Sequence, residues 1–280
     1  MNLALTTLCE NTAGKPGFMA EWGLSVLVQA DGMNVLFDTG GNVAAVRNAD
    51  KLGVDLRAVD TIVLSHAHAD HTGGLREVLM RTGPKEIIAH PAIWELKYVK
   101  RAYEKKEAFI GVPFTRAELE QLGASFTLRK DPVCITDTIV TTGEIGQTTD
   151  FEGIEPIFYV KEDGSLRKDH FPDDLALIVR TKEGLVIVLG CAHRGMISTI
   201  RHAQMITGEQ RVHTVVGGTH LFPKTDEQIE KAIHALQEIG VQKIGVSHCT
   251  GFHASVRLAE VFGDTFFQNN AGTVYTLDSV

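Results

Sequence analysis

Three histidines and one aspartate lie within six residues, in the segment SHAHADHTGG at positions 65–74. Side chains two positions apart in an extended segment point the same way, so His66 and His68 are predicted to share one metal ion. Asp70 and His71 then face a second ion. Imidazole nitrogens with one carboxylate suit Zn²⁺, and also Mn²⁺ or Fe²⁺. We therefore expect one or two divalent metal ions, with zinc the first choice.

The elements around this segment must hold its side chains in place. Thr61–Leu64 is a short β-branched run, which predicts a buried strand that ends at the histidines. Gly73 and Gly74 allow the backbone to turn tightly and begin a helix beside the metals. Ser65 has no GxSxG elbow around it, so we do not expect it to act as a nucleophile.

Three histidines of the second half also follow runs that predict strands, namely His193, His220 and His248. His220 is interpreted as a catalytic or substrate-binding residue, with an ordinary surface position as an equal alternative. Thr250, two residues after His248, is predicted to contact substrate, and simple packing is its alternative. These strand ends are where the chain can supply further metal ligands.

Both halves of the chain place strands first and helices after, which predicts an α/β (α+β) protein. Two apolar runs at 25–30 and 33–37 are joined by Asp31-Gly32, a strong hairpin signal. Thr115 and Thr225 have capping-box spacing and predict helix starts.

We expect a single domain over residues 1–280, with a helical insertion at about 91–130. Five basic residues there are interpreted as a solvated helix face or, alternatively, as attracting a phosphorylated substrate: Lys97, Lys100, Arg101, Lys105 and Lys106.

Composition limits the protein class. The chain has 280 residues, a formal net charge of −8 and no apolar run long enough to span a membrane. Nucleic-acid binders usually carry a basic surplus, so a small-molecule substrate is favoured over nucleic acid or membrane. The four cysteines show no CxxC spacing, which favours a reducing compartment and a cytoplasmic location. The sequence does not indicate an oligomeric state.

Two segments of the sequence resemble motifs of a known superfamily. HAHADH fits the HxHxDH signature of metallo-β-lactamase-fold hydrolases, and LFDTG resembles the strand end that carries an aspartate in that fold. Six blocks between residues 21 and 251 resemble the 7,8-dihydropterin-6-methyl-4-(β-D-ribofuranosyl)aminobenzene-5′-phosphate synthase group: EWGLSVLV, LFDTG, LSHAHADHTGGL, GCAHRG, GGTHL and SHCTG. The resemblance implies a four-layer αββα sandwich.

The resemblance also implies roles for individual residues. His193 would complete the first metal site, with His170 as its rival, and His248 would complete the second. Asp38 would orient a histidine ligand from behind, and Asp174 is a further candidate for such support. Where the superfamily usually has a bridging aspartate, this chain has Cys191, which is either a metal ligand or a buried thiol.

The implied activity is that of a metal-dependent hydrolase or hydrolase-like transferase of the synthase group. Asp70 would hold the attacking water as well as bind metal, and His220 would protonate the leaving group. The alternative is a zinc lactonase or phosphodiesterase that acts on a small molecule, because the same centre serves several leaving groups. A non-catalytic binding module is a further alternative.

Overall fold

Two β-sheets lie face to face at the centre of the structure, a computed structural model that describes residues 2–278. In spatial order, the first sheet consists of β17 (Val274–Asp278), β1 (Asn2–Cys9), β2 (Ser25–Ala30), β3 (Met33–Phe37), β4 (Thr61–Val63), β5 (Lys85–Ala89) and β8 (Ala124–Leu128). The second consists of β16 (Phe266–Gln268), β15 (Lys243–Ser247), β14 (Val212–Gly218), β13 (Gly184–Leu189), β12 (Ala176–Thr181) and β9 (Ile139–Thr141).

Helices cover the outer face of each sheet. They are α1 (Ala44–Leu52), α3 (Leu75–Thr82) and α4 (Arg116–Gln121) on the first sheet and α5 (Met196–Thr207), α6 (Asp226–Ile239) and α7 (Phe252–Phe262) on the second. The four-residue helix α2 (Ala69–Thr72) lies within the HAHADH segment instead. One apolar cluster joins α1, α3 and α4 to the first sheet, and another joins α5, α6 and α7 to the second. A third cluster fills the space between the sheets, where Phe37 and Val188 are fully buried. The predicted αββα sandwich is therefore confirmed.

Local sequence signals fix several element boundaries. Asp31 and Gly32 both have positive φ angles, 53° and 75°, as a two-residue type I′ hairpin between β2 and β3 requires. Helices α4 and α6 begin at complete capping boxes formed by Thr115 with Glu118 and by Thr225 with Gln228. These predictions are confirmed.

The helical insertion predicted at 91–130 is wrong in its secondary structure. This segment contains β8, the short helix α4, one 3-10 turn at Pro91–Trp94 and two strands of a third, four-stranded sheet. In spatial order, that small sheet consists of β11 (Ser165–Lys168), β10 (Phe158–Glu162), β6 (Leu96–Val99) and β7 (Ala108–Phe109). Lys97 of β6 and the basic residues after this strand suggested a solvated helix face, but β6 pairs with β10 from a distant part of the chain.

Parallel pairing determines where the functional residues meet. Strands β3, β4, β5 and β8 run parallel in the first sheet, as do β13, β14, β15 and β16 in the second. The carboxyl ends of parallel strands open at one edge, which is where ligands bind in many α/β proteins. Over residues 2–278, no helix has both the length and the apolar character needed to cross a membrane.

Candidate metal centre

Asp38 follows β3 and is the polar anchor of the site. Its backbone has a φ of 58°, an unusual conformation that aspartate tolerates better than most residues. Its Oδ1 accepts the Ser65 N–H at 2.7 Å, and its Oδ2 accepts the Ser65 hydroxyl at 2.7 Å. The same Oδ2 lies 2.7 Å from His71 Nδ1. One buried carboxylate thus fixes the start of the HAHADH segment and one of its imidazoles.

These hydrogen bonds decide which nitrogen of His66 is protonated. His66 Nδ1 lies 2.9 Å from Ser65 Oγ, and the Ser65 hydroxyl already donates its hydrogen to Asp38. His66 Nδ1 must therefore be the donor, which leaves a lone pair on Nε2. The side chain of His66 is fully buried, and its Nε2 has no hydrogen-bond partner.

A first group of three imidazoles meets at this point. The ligand atoms of His66, His68 and His193 all lie within 4.8 Å of one another, and all three residues are buried. Nε2 of His66, Nε2 of His68 and both ring nitrogens of His193 have no hydrogen-bond partner. Burial lowers the pKa of each imidazole, so all three favour the neutral form that binds cations. Converging, neutral and unpartnered nitrogens fit a divalent metal ion.

A second group lies beside the first and consists of Asp70, His71 and His248. His71 Nε2 and His248 Nε2 are 3.3 Å apart, and Asp70 Oδ2 is 3.2 Å from His248 Nε2. His248 Nδ1 lies 2.9 Å from Asn11 Oδ1, so its Nε2 faces the other two residues. Two imidazoles and a carboxylate suit zinc or a related ion.

Cys191 lies between the two groups. Its Sγ is 3.1 Å from His71 Nε2, and it belongs both to a set with His66 and His71 and to one with His248 and Cys249. The thiol is 3% exposed, so solvent is not its main partner. The geometry fits a bridging position, and its role as a ligand stays a prediction.

His220 follows β14 at the edge of the first group. Its ring centroid is 4.2 Å from that of His193, and its Nδ1 lies 3.1 Å from Glu155 Oε2. Burial alone would lower the pKa of His220, but the Glu155 carboxylate outweighs it and raises that pKa. Glu155 also pairs with Lys224. Sequence reasoning missed Glu155 because it lies in an irregular segment without a motif.

Three other predicted residues, His170, Thr250 and Asp174, lie outside the ligand groups that the described residues form. His170 is exposed and belongs to none of the groups formed by the described residues, whereas His193 does. Thr250 is 1% exposed and accepts a hydrogen bond from Thr219 at 3.0 Å, and its substrate contact stays a prediction. Asp174 Oδ2 accepts the Arg194 N–H at 2.7 Å, and burial raises the pKa of Asp174 to about 7.

Lys97 is not on a solvated face. It is 0% exposed, and its Nζ lies 2.9 Å from both Asp169 Oδ2 and Asp173 Oδ1. Asp173 Oδ2 in turn accepts the backbone N–H of Ala67 at 2.9 Å, between the first two histidines of the motif. The interpretation of Lys97 as a surface residue is wrong, since this buried ion pair joins the small sheet to the metal-binding segment.

An open cleft leads to both groups. The centre of this cleft is lined by metal-ligand candidates and their neighbours, namely His68, Asp70, Cys191, His193, His220, His248 and Cys249. Its walls include the exposed ring of Trp22, the phenyl ring of Phe158 and, from the segment after β6, the guanidinium of Arg101. Trp22 Nε1 donates to Asp70 Oδ2 at 3.0 Å. Sequence reasoning missed Trp22 and Asn11, although the polar residues directly after β1 were a signal of the same kind as the later histidines.

Comparisons with known proteins agree with this architecture. Residues 23–164 match the family model described as the metallo-beta-lactamase superfamily. The 7,8-dihydropterin-6-methyl-4-(beta-D-ribofuranosyl)-aminobenzene-5′-phosphate synthase of Methanocaldococcus jannaschii is 33% identical, with 98% of this chain and 96% of the relative covered. The crystal structure of Tm1679, a metal-dependent hydrolase of the beta-lactamase superfamily, is 31% identical, with a TM-score of 0.82 and 99% of both chains covered. A metallo-beta-lactamase fold protein from Bacillus subtilis, YhfI, shares the fold at 13% identity and a TM-score of 0.60, with 98% of this chain and 99% of that one covered.

Proposed function

The chain belongs to the metallo-beta-lactamase superfamily, and from that premise we propose that it is a metal-dependent enzyme acting on a small phosphorylated molecule. One observation supports this most: His66, His68 and His193 bring nitrogens without hydrogen-bond partners to within 4.8 Å of one another. Two of these histidines follow a strand of the first sheet, and the third follows a strand of the second. A buried cluster of this kind costs free energy unless a cation satisfies it.

The residues divide into two ligand sets. His66, His68 and His193 would hold a first ion, while Asp70, His71 and His248 would hold a second. Cys191 lies between the sets, and Asp38 would orient His66, through Ser65, and His71. When bound, divalent ions supply positive charge that polarises substrate oxygens and lowers the pKa of water towards roughly 7. Zinc suits this donor set best.

Five side chains of the cleft would have chemical roles of their own. The Asp70 carboxylate is held by the Trp22 indole N–H and accepts a hydrogen bond from the attacking water or amine. The His220 imidazole, paired with Glu155, donates a proton to the leaving group. Arg101 on the cleft wall attracts a phosphate, while Trp22 and Phe158 provide flat surfaces against an aromatic ring.

The full-length similarity to the synthase supports one reaction in particular. In it, a pterin methyl carbon loses diphosphate and is attacked by an aminobenzene ribofuranosyl phosphate. The similarity to a metal-dependent hydrolase is equally extensive, so water is the competing attacking group. Transferase and hydrolase forms of the proposal differ only in which molecule occupies the position beside Asp70.

A direct assay separates these forms. The zinc-loaded protein would be mixed with the dihydropterin methyl diphosphate, with and without the aminobenzene ribofuranosyl phosphate, and diphosphate release would be followed. Release that depends on the second substrate, with formation of the joined product, identifies a transferase, whereas release without it identifies a hydrolase. Turnover only on a parallel panel of lactones and phosphodiesters would support the zinc lactonase or phosphodiesterase instead. No turnover in any arm would contradict the proposal.

A further inference from the structure

Two buried thiols meet beside the second group of ligands. Cys191 follows β13 and Cys249 follows β15, the two strands that flank β14 in the second sheet. Their exposures are 3% and 8%. Because the three strands are parallel, both cysteines lie at the same edge of the sheet, although 58 residues separate them in the chain.

A glycine at the end of β14 creates the space for this meeting. A Cβ added to Gly218 would lie 2.7 Å from Cys249 Sγ and 3.3 Å from the Cα of Cys191. Contacts below about 3 Å are essentially never adopted, so any larger residue here would push the Cys249 thiol away. The absence of a side chain at Gly218 lets Cys249 reach across the end of β14.

The donor atoms converge within metal-binding range. Cys191 Sγ, Cys249 Sγ and a ring nitrogen of His248 all lie within 4.8 Å of one another. A tetrahedral zinc ion with bonds of roughly 2.3 Å to sulfur and 2.0 Å to nitrogen separates its ligand atoms by roughly 3.5–3.8 Å. The three atoms are thus close enough to bind one ion with only small side-chain movements.

Two backbone groups fix the position of the Cys249 sulfur, and one of them is the Cys191 carbonyl oxygen, 3.5 Å away. Cys249 Sγ lies 3.3 Å from the backbone N of His220, which donates towards the sulfur. The neighbouring His248 has a φ of 53°, an uncommon conformation for histidine, and its Nδ1 is held by Asn11. Cys9 is more deeply buried, at 0% exposure, but it contacts Glu21 and belongs to none of the ligand groups of residues 2–278. Burial alone therefore does not distinguish Cys249.

We propose that Cys191 and Cys249 provide sulfur ligands to the second metal ion beside the nitrogen of His248, a step that rests on the proposed function because it requires a metal centre. Thiolate sulfur favours Zn²⁺, Co²⁺ and Cd²⁺ over Mg²⁺ and Mn²⁺, which prefer oxygen. The centre is therefore asymmetric. The first ion is bound by three imidazoles, and the second is bound by sulfur as well as by nitrogen and oxygen.

Cobalt substitution tests this inference without measuring activity. The full chain would be loaded with Co²⁺, and the near-ultraviolet thiolate-to-cobalt absorption would be recorded for the wild type, Cys249→Ser, Cys191→Ser and the double variant. Cys134→Ser is the matched control, since Cys134 is exposed and belongs to none of the ligand groups that residues 2–278 form. We expect each single site variant to lose about half of the absorption per bound cobalt and the double variant to lose nearly all of it, while the control keeps it.

Each result decides one point. Unchanged absorption per cobalt in Cys249→Ser overturns the inference and leaves the proposed function standing. A wild-type chain that binds no Co²⁺ or Zn²⁺ overturns both. If Cys249→Ser fails to fold, as judged by circular dichroism, X-ray absorption of the zinc-loaded Cys191→Ser variant decides instead. A remaining shell of sulfur at about 2.3 Å supports the inference, because Cys249 is then the thiol left in the ligand group, and the absence of such a shell overturns it.

Discussion

Asp38 Oδ2 lies 2.7 Å from His71 Nδ1, and neither side chain is exposed to solvent. The same carboxylate accepts both the N–H and the hydroxyl of Ser65, which in turn bonds to His66. One residue at the end of β3 therefore orients a histidine from each ligand group. The centre depends on this carboxylate even though Asp38 belongs to neither ligand group.

Replacement of Asp38 by asparagine is expected to weaken metal binding without unfolding the chain. Asparagine tolerates the positive φ, but its amide turns an N–H donor towards groups that are themselves donors. We expect the affinity for zinc to fall by about 10–100-fold, the usual effect of losing such a supporting group. Zinc titration with a competing chelator measures it. Asp50→Asn, which changes an exposed carboxylate bound to Arg81, is the control, and equal affinities in both variants would refute the role of Asp38.

His68→Ala is expected to remove most of the bound metal and nearly all activity while the fold persists. The variant deletes one of three converging nitrogens and leaves the sheets intact. Elemental analysis of the purified protein gives the metal content, and far-ultraviolet circular dichroism checks the fold. His234→Ala is the matched variant because His234 is an exposed residue of α6. Full metal content in His68→Ala would show that our ligand assignment is wrong.

Gly190→Ala is expected to disturb the centre by sterics alone. A Cβ at Gly190 would lie 2.2 Å from Ser65 Oγ and 2.4 Å from Ser65 Cβ, and Ser65 is already fixed by Asp38. Overpacking of this kind costs about 1–3 kcal/mol of unfolding free energy, and displaced Ser65 should also lower zinc affinity. Urea denaturation and zinc titration measure the two effects. Gly146→Ala meets no atom within 4 Å and should change neither. Wild-type behaviour of Gly190→Ala would contradict the packing described here.

Lys97→Met is expected to destabilise the protein strongly. It leaves Asp169 and Asp173 buried without their cation, and loss of one partner from a buried ion pair costs about 3–5 kcal/mol. Lys231→Met removes an exposed cation paired with Glu227 and should leave the unfolding free energy nearly unchanged. Urea denaturation of both variants measures the difference. A loss for Lys97→Met no larger than that for Lys231→Met would mean that the buried pair contributes little.

Local patterns allowed much of the architecture to be predicted. The hairpin at Asp31-Gly32, the capping boxes at Thr115 and Thr225 and the strand before His66 all depend on residues close together in sequence. The four-layer sandwich followed from the resemblance, and the structure and comparisons confirm it. The segment 91–130 was misread because β6 acquires its strand structure by pairing with β10, about 60 residues away.

The part of the candidate site formed by one short motif could be predicted from the sequence. The part formed by residues that are distant in the chain could not. His66, His68, Asp70 and His71 are adjacent in sequence, so their spacing indicated a metal site. Asn11 holds His248 from 237 residues away, and no local pattern reveals such a pair. The burial of Lys97 was equally hidden, because a lysine indicates solvent exposure unless its partners are known. His193 follows the apolar strand β13 and His170 directly precedes Phe171, and only the folded chain shows which of the two joins the first ligand group.

The two ligand groups draw on both sheets of the sandwich, with His66 and His68 from the first and His193 from the second. A bound ion would add a cross-link between two halves of the protein that already meet through apolar contacts and through hydrogen bonds such as that of Asn11 with His248. The ends of β4 and β13 could then separate only when the ion is released. Amide hydrogens at those two ends should therefore exchange with solvent together, and both should become faster when a chelator removes the metal.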